Sequence, residues 1–253
     1  MSGMTERGSA NVRTRHSEQH REGSMAASVM DTKVKSTNSV AWVEELGRHR
    51  ILSMNAYLRL KRLMDLTMCL IALPILLTVF GLIALLIKIE SPGGPVVFTQ
   101  YRTGRHGKRF KIYKFRTMVP NAEEMKLKLL HLNELQWPDF KITNDPRITK
   151  VGKFLRKTSL DELPQILNIV RGEMSFVGPR PTSFAASTYQ LWQTERLDVI
   201  PGLTGLWQVY GRAETEFDER LRLDISYIQN RSLFLDIAIV FLTVGSVFTG
   251  RGK

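Results

Sequence analysis

Leu66-Thr-Met-Cys-Leu-Ile-Ala-Leu-Pro-Ile-Leu-Leu-Thr-Val-Phe-Gly-Leu-Ile-Ala-Leu-Leu-Ile87 is a run of 22 residues without one charge. As a helix it would rise roughly 33 Å, about the thickness of a bilayer's hydrocarbon core. Pro74 lies in its first half, where it removes a backbone donor and favours a kink or a break. Two geometries compete: a kinked helix that crosses the membrane, and a helix–break–helix that enters and leaves by one face. Arg59, Lys61 and Arg62 precede the run, and Lys88, Arg102, Arg105, Lys108, Arg109, Lys111, Lys114 and Arg116 follow it. A simple span concentrates positive charge on one side only. The re-entrant geometry fits better, with Pro74 as the membrane break. A core helix of a soluble domain is disfavoured by the length of the run.

Working outward, residues 1–41 contain no Phe, Trp or Tyr and are crowded with Ser, Thr, Asn, Glu and Arg. Such a segment buries too little apolar area to offset its ordering entropy. Residues 1–50 are therefore expected to be a disordered tail, without the apolar run of a secretory signal. Residues 51–65 read as a basic interfacial segment with Arg59, Lys61 and Arg62 facing lipid headgroups. Residues 66–89 form the membrane segment, and 90–253 a compact, helix-rich mixed α/β domain. Within it, residues 95–98 and 109–115 have strand character, and Asn121 reads as the N-cap of a short helix. Phe217, Leu221, Ile225 and Ile228 recur at helical spacing. Residues 233–248 are apolar except for Asp236, and suit a core helix or one lying against the membrane.

Over its 253 residues the chain has 36 Lys and Arg against 24 Asp and Glu, a formal charge of +12. Phosphates, nucleic acid or anionic lipid are the natural partners of such a surface. A single cysteine, Cys69, excludes an intramolecular disulfide framework and any multi-cysteine metal site. The five histidines lack metal-ligand spacing, and no dinucleotide fingerprint, Walker loop or His-Glu-x-x-His is present.

Four stretches can carry chemistry. Ser159-Leu-Asp-Glu162 reads as a capping box, or as a pair of acids just before a helix starting near Pro164. Acids at helix starts are usually caps. Here Arg147, Lys150, Lys153, Arg156 and Lys157 precede the pair, and Arg171 and Arg180 follow it. Such surroundings favour ionised carboxylates and attract a polyphosphate. An ionised Asp161 can attack phosphorus, and Glu162 beside it can hold a divalent metal. Gly178-Pro-Arg-Pro181 presents Arg180 from a stiff loop suited to bidentate phosphate recognition. Pro201-Gly-Leu-Thr-Gly205 allows close backbone approach to a ligand, with Gln208 and Arg212 beyond it as donors. Lys114 and Arg116 share one strand face at period two, so both can reach one anion.

These stretches, in this order, resemble the bacterial sugar transferase family, the monotopic phosphoglycosyl transferases. The matching strings are Lys61-Arg-Leu-Met-Asp65, the proline-interrupted apolar run, Ser91-Pro-Gly-Gly-Pro95, Gln100-Tyr-Arg-Thr-Gly104, Tyr113-Lys-Phe-Arg-Thr-Met118, Asp145-Pro-Arg-Ile-Thr149, Thr158-Ser-Leu-Asp-Glu-Leu-Pro-Gln165, Gly178-Pro-Arg-Pro181 and Pro201-Gly-Leu-Thr-Gly205. The likeness runs from about Tyr57 to the C-terminus and corresponds to the family's short form. It implies a monotopic protein of the bacterial inner membrane, with its catalytic domain (90–253) on the cytoplasmic face and amphipathic interfacial helices. The implied reaction moves a sugar phosphate from a UDP-sugar to polyprenyl (undecaprenyl) phosphate, releasing UMP, as the first membrane step of exopolysaccharide, capsule or glycan assembly. In this resemblance Asp161 is the nucleophile and forms an aspartyl-phosphosugar intermediate. Asp161 and Glu162 are the candidate Mg²⁺ ligands, with Glu162 a base in the alternative. Lys114, Arg116, Arg147 and Arg180 match basic motif positions that would contact phosphates. The family's re-entrant helix breaks at a Ser-Pro pair, and here Leu73 replaces the serine.

A metal-dependent phosphohydrolase using the same acids, and an anionic-lipid-binding protein, remain as alternatives. Nucleic acid is not expected, because the cations are interleaved with rigid Pro and Gly turns and an acid pair where a binding patch needs only charge. A homodimer is left open.

Overall fold

The computed structural model describes residues 41–48, 52–134, 142–210 and 217–248. Helix α1 covers residues 41–48, so helical structure already appears inside the span read as a tail; the rest of that reading lies outside the described residues. Residues 46–253 make one compact unit.

Helix α2, Met54–Glu90, is 37 residues long, about 54 Å at the helical rise. Leu, Ile, Ala and Met dominate it, and these lose little side-chain freedom on becoming helical or gain most from burial. Ser53 caps its start by accepting from the Ala56 amide. The backbone stays helical across Pro74, so the expected helix–break–helix is one continuous element. The proline is absorbed at the loss of the bond that its missing N–H would have made to Leu70. The basic segment and the apolar run that follows it lie on this one helix.

Two ends of α2 are buried and its middle is not. Tyr57, Lys61, Asp65 and Cys69, each one turn from the next, face the domain, as do Ile83 and Ile87. Between them Leu70, Ile71, Ile75 and Leu77 are 69%, 72%, 71% and 65% exposed. In water that stripe would be a large uncompensated apolar surface.

Strands β1 (Val97–Thr103) and β2 (Arg109–Phe115) pair antiparallel, with Val97 opposite Phe115 and Thr103 opposite Arg109. Their tight connection carries His106 and Gly107 at positive φ. Strand β2 holds α2 at two points. Ile112 joins Cys69, Ile169 and Met174 in one cluster, and Phe115 joins Ile83, Ile87 and Leu155 in another. Phe80 meets Phe115 edge to face with ring centroids 5.0 Å apart. Each of these buried aliphatic side chains contributes roughly 1.5–3 kcal/mol.

Helices α3 (Ala122–Lys128), α4 (Lys150–Lys157) and α5 (Ile166–Arg171) follow, with a 3₁₀ segment, Leu160–Gln165, between the last two. Strands β3 (Ser175–Val177) and β4 (Gly202–Thr204) pair in parallel. A second 3₁₀ segment, Leu191–Asp198, lies between them in sequence, and α6 (Leu206–Tyr210), α7 (Phe217–Asn230) and α8 (Leu233–Phe248) complete the domain. The expected helix-rich mixed α/β class is what the described residues adopt.

The Lys61–Asp65 motif is a clamp. Lys61 pairs with Asp236 of α8 at 2.8 Å, joined by the hydroxyls of Tyr57 at 2.9 Å and Tyr227 at 2.6 Å. Arg62 donates to the carbonyls of Ile169 and Val170 at the end of α5, where the helix leaves its last acceptors unpaired. Asp65 accepts from the Ser175 hydroxyl and the Phe176 amide, both at 3.1 Å. The expectation that Lys61 and Arg62 face lipid headgroups is therefore corrected. Both turn inward because buried acceptors outcompete water for them. Asp236, fully buried, makes the first turns of α8 a core helix.

Candidate active site

Helix α2 hands its C-terminal end to α4. The Glu90 carboxylate accepts from the Lys150 and Val151 amides at 2.7 and 2.9 Å, satisfying first-turn donors with a favourable charge. Thr149 caps the same turn by accepting from Gly152. Gly152 is required there: a Cβ would lie 2.0 Å from the Thr117 carbonyl oxygen. Helix α4 then ends at Thr158, whose hydroxyl bonds back to Phe154. The next residue, Ser159, has φ 57 and ψ 15, a left-handed conformation that costs a non-glycine residue about 1 kcal/mol or more. The chain is thereby turned into the 3₁₀ segment that carries Asp161 and Glu162. No capping box forms, since the Ser159 side chain makes no cap bond and Glu162 is engaged elsewhere.

The two acids have different surroundings. Glu162 takes a forked contact from Arg180, with Nη1 at 3.0 Å from Oε2 and Nη2 against Oε1, and accepts from Lys114 Nζ at 2.7 Å. Burial alone would raise its pKa, but Arg180 and Lys114 outweigh this and hold the carboxyl far below its ordinary range. Asp161 is approached by Lys114 only at 3.9 Å, beyond hydrogen-bond reach. Burial pushes its pKa up against the pull of Lys114, with Glu162 adding repulsion. The expectation that cationic surroundings fix both carboxylates as anions thus holds for Glu162 and is reversed in direction for Asp161. Lys114 is itself lowered by burial, against the pull of Glu162.

Two further cations belong to this group. Arg102 on β1 has its pKa lowered to about 10 by burial and by repulsion from Arg180, with Glu162 acting against both. Arg156 on α4 donates Nε to Thr117 Oγ1 at 2.9 Å and lies in the field of Asp161. Four cations (Arg102, Lys114, Arg156 and Arg180) thus face two carboxylates. A buried excess of positive charge is a place for an anion of about two charges, such as a diphosphate. Sequence reasoning listed Arg102 and Arg156 as neighbouring charge without a role. The signal for Arg102 was its place in Gln100-Tyr-Arg-Thr-Gly104.

The other candidates are not gathered here. Arg147 is buried and spends its guanidinium on Asp145, with Nη2 2.6 Å and Nε 2.9 Å from the carboxylate, and on the Ala122 carbonyl. Arg116 lies just past β2 and donates to the Ser91 carbonyl, packed against Gly94. It fixes the loop after α2 through one guanidinium nitrogen, while Nη1 is buried without a hydrogen-bond partner. Gln208 donates to the Leu203 carbonyl at 3.3 Å and rests on Gly205 within its own turn. Arg212 lies outside the described residues. No group of three or more His, Cys, Asp or Glu that could hold a metal occurs among the described residues.

The family described as bacterial sugar transferase matches residues 56–250. A galactosyl transferase of Streptococcus agalactiae is 45% identical over 201 residues, covering 78% of this chain and 44% of the relative. Undecaprenyl-phosphate galactose phosphotransferase of Salmonella typhimurium is 47% identical over 170 residues, 65% of this chain and 36% of its own. The exopolysaccharide production protein ExoY of Rhizobium meliloti is 40% identical over 232 residues, 88% of this chain and 100% of its own. The chain thus spans less than half of the first two relatives and matches ExoY end to end. With the acid pair, its basic partners and the apolar helix arranged as described, the chain belongs to the bacterial sugar transferase family.

Proposed function

We propose that the protein transfers a sugar phosphate from a UDP-sugar to polyprenyl phosphate at the cytoplasmic face of the bacterial inner membrane, in two displacements at Asp161. In the first, an Asp161 oxygen bonds to the β-phosphorus, the bond from that phosphorus to the bridging oxygen breaks, and UMP leaves. In the second, a phosphate oxygen of the polyprenyl acceptor attacks the same phosphorus, and the Asp161 carboxylate departs. One phosphoanhydride replaces another, so no external energy source is required. The observation that carries this reading is the asymmetry of the acid pair. Glu162 is saturated by Arg180 and Lys114, whereas Asp161 has unengaged lone pairs and raised basicity, which suits a nucleophile. The surplus of cations suits a donor diphosphate, because phosphoryl transfer rests chiefly on positioning and charge neutralisation. The Salmonella relative, an undecaprenyl-phosphate galactose phosphotransferase, points the same way.

Mg²⁺ typically takes one or two carboxylates and completes its shell with substrate phosphates and water. Asp161 fits such a ligand; Glu162 fits only by giving up part of its hold on Arg180 or Lys114. When bound, the ion would neutralise the diphosphate. Lys114 and Arg180 would meanwhile keep Glu162 from repelling the incoming phosphate.

Re-entry of α2 is supported by its two anchored ends. Residues 54–69 and 79–87 both pack on the same compact unit. Between these anchors about nine residues, rising about 13 Å, have no buried face, and Leu63, Leu82, Leu85 and Ile89 extend the exposed apolar side over both ends. An acceptor phosphate at headgroup level then lies within reach of the domain.

The test uses membranes carrying the full chain, a panel of UDP-sugars and polyprenyl phosphate. UMP release that requires the acceptor for turnover, together with an Asp161-linked phosphosugar adduct by intact mass, is expected. Steady UMP release without acceptor would identify a hydrolase instead. No turnover of any donor would leave a lipid-binding protein.

A further inference from the structure

Arg180, with Lys114, holds Glu162 ionised, and it sits on a loop whose supports can be traced atom by atom. The backbone of that loop is pinned by Gly178 N to the Thr204 carbonyl, Gly202 N to the Pro179 carbonyl and Thr103 N to the Thr182 carbonyl, all at 2.9 Å. The carbonyl of Arg180 itself is held by a side chain. Arg196 Nη2 donates to it at 2.5 Å and to Asp224 Oδ2 at 2.8 Å. Both members of this pair are buried, Arg196 at 6% exposure and Asp224 at 1%. They come from separate elements, the 3₁₀ segment Leu191–Asp198 and helix α7. The Arg196 guanidinium also lies over the Tyr189 ring at 5.9 Å, and the Tyr189 hydroxyl shares a hydrogen bond with Thr182 at the far end of the loop.

We propose that Asp224, acting through Arg196, is a positioning residue for Arg180, and so for the donor-diphosphate site that the proposed function places there. A lone Arg196 would be free to turn toward other acceptors. Its pairing with Asp224 orients the guanidinium so that one N–H remains aimed at the Arg180 carbonyl. The Arg180 side chain then leaves the loop in the direction of Glu162.

The energetics argue that the pair is not kept for stability. Burial raises Asp224 to about 6, against the pull of Arg196 and, on its own helix, Arg220; these two arginines are the charged groups facing it. One carboxylate oxygen, Oδ1, is buried without a hydrogen-bond partner. A folded-state pKa above the unfolded value means that ionised Asp224 works against folding at neutral pH. Its contribution to stability rises as pH falls through about 6, while its grip on Arg196 weakens over the same range. Activity and this component of stability therefore run in opposite directions with pH.

The experiment measures donor kinetics for full-length protein in membranes, with the UDP-sugar that supports turnover, as a function of pH. Four chains are compared: wild type, Arg180→Gln, Asp224→Asn, and Arg196→Met with Asp224→Leu. Removing both charges together avoids stranding either one in the interior, so the double variant keeps the test usable if Asp224→Asn does not fold. The double variant is expected to retain a melting temperature near wild type. Its kcat/KM for the donor should fall roughly tenfold or more, mainly through KM, and the acid limb expected of wild type near pH 6 should be absent. A double variant with wild-type KM and an unchanged acid limb would overturn the proposal, as would a wild-type profile with no limb in that range. Arg180→Gln separates the two levels of argument. If it is harmless, the role of Arg180 in the proposed function fails and takes this inference with it. If it is harmful while the double variant behaves as wild type, only the positioning role falls.

Discussion

Asp161 and Glu162 are neighbours in sequence, yet their environments push them apart, which is how two carboxylates acquire two roles. The stability consequences have opposite signs. Glu162 is held below its ordinary pKa by Arg180 and Lys114, so its contribution is present in full above the unfolded value and is lost only as pH falls into strong acid. Glu162→Gln should leave two partly buried cations uncompensated and cost about 2 kcal/mol or more, read as a lower melting temperature. Asp161 is raised, so its ionised form costs stability at neutral pH. Asp161→Asn should therefore abolish the covalent adduct while matching or exceeding the wild-type melting temperature. An Asp161→Asn protein that still turned over, or that melted markedly lower, would contradict the division of roles. The acid pair, Lys114 and Arg180 were legible in the sequence because rigid or periodic contexts present them. Arg147 and Arg116, expected to contact phosphates, are each bonded within the fold, because a sequence displays cations but not the acceptors that hold them. The partner of Arg147 is Asp145, two residues away, and that of Arg116 is a carbonyl 25 residues back.

Among the elements, α2 combines a lipid-compatible middle with ends as specifically bonded as any core helix. Its length and apolarity could be read directly, as could strand β2 and helix α8, whose bounds coincide with the sequence pattern. Its anchoring could not be read. Lys61 and Arg62 look like headgroup ligands beside an apolar run, and their acceptors lie 175 and 107 residues further on. The Lys61–Asp236 pair makes a quantitative case. With Asp236 fully buried and Lys61 nearly so, Asp236→Leu alone should strand the ammonium and cost about 3–5 kcal/mol. Combining it with Lys61→Met should recover only part of that loss, because the stranded charge is removed while the buried Tyr57 and Tyr227 hydroxyls still lack their acceptor. Thermal melts of the two single variants and the double, compared as a cycle, measure this. A double-variant loss equal to the sum of the two single losses would show that the pair is not coupled. At the other end of α2, Glu90→Ala removes two amide acceptors of α4 and should cost about 1 kcal/mol. It should also lower kcat, since α4 delivers the turn at Ser159 on which Asp161 rides.

At the scale of the molecule, the question is which surface meets lipid. The uncovered middle of α2 supplies one apolar stripe. Helix α8 supplies another: Phe234, Ile237, Phe241 and Val244, at three- and four-residue spacing, are 53%, 43%, 72% and 49% exposed, while Leu235 and Ile239 on the opposite side are fully buried. A helix with a buried face and an outward apolar face lacks the polar stripe that water requires. It also cannot drift relative to α2, because Asp236 in its first turn is bonded to Lys61 and Tyr57. The two exposed apolar stripes are tied together by a buried ion pair, and the proposed placement, on one leaflet with α2 dipping in, brings both to lipid together. Phe241→Trp, nearly conservative in size, should then show tryptophan fluorescence quenched by lipids brominated at shallow acyl positions, measured against the parent chain. Cysteines introduced at 55 and 95 should label from the same side of sealed vesicles. Quenching only by deeply brominated lipid would place α8 across the bilayer rather than along it. Opposite-side labelling would turn α2 into a span and remove the geometric reason for Asp161 to meet an acceptor at headgroup level.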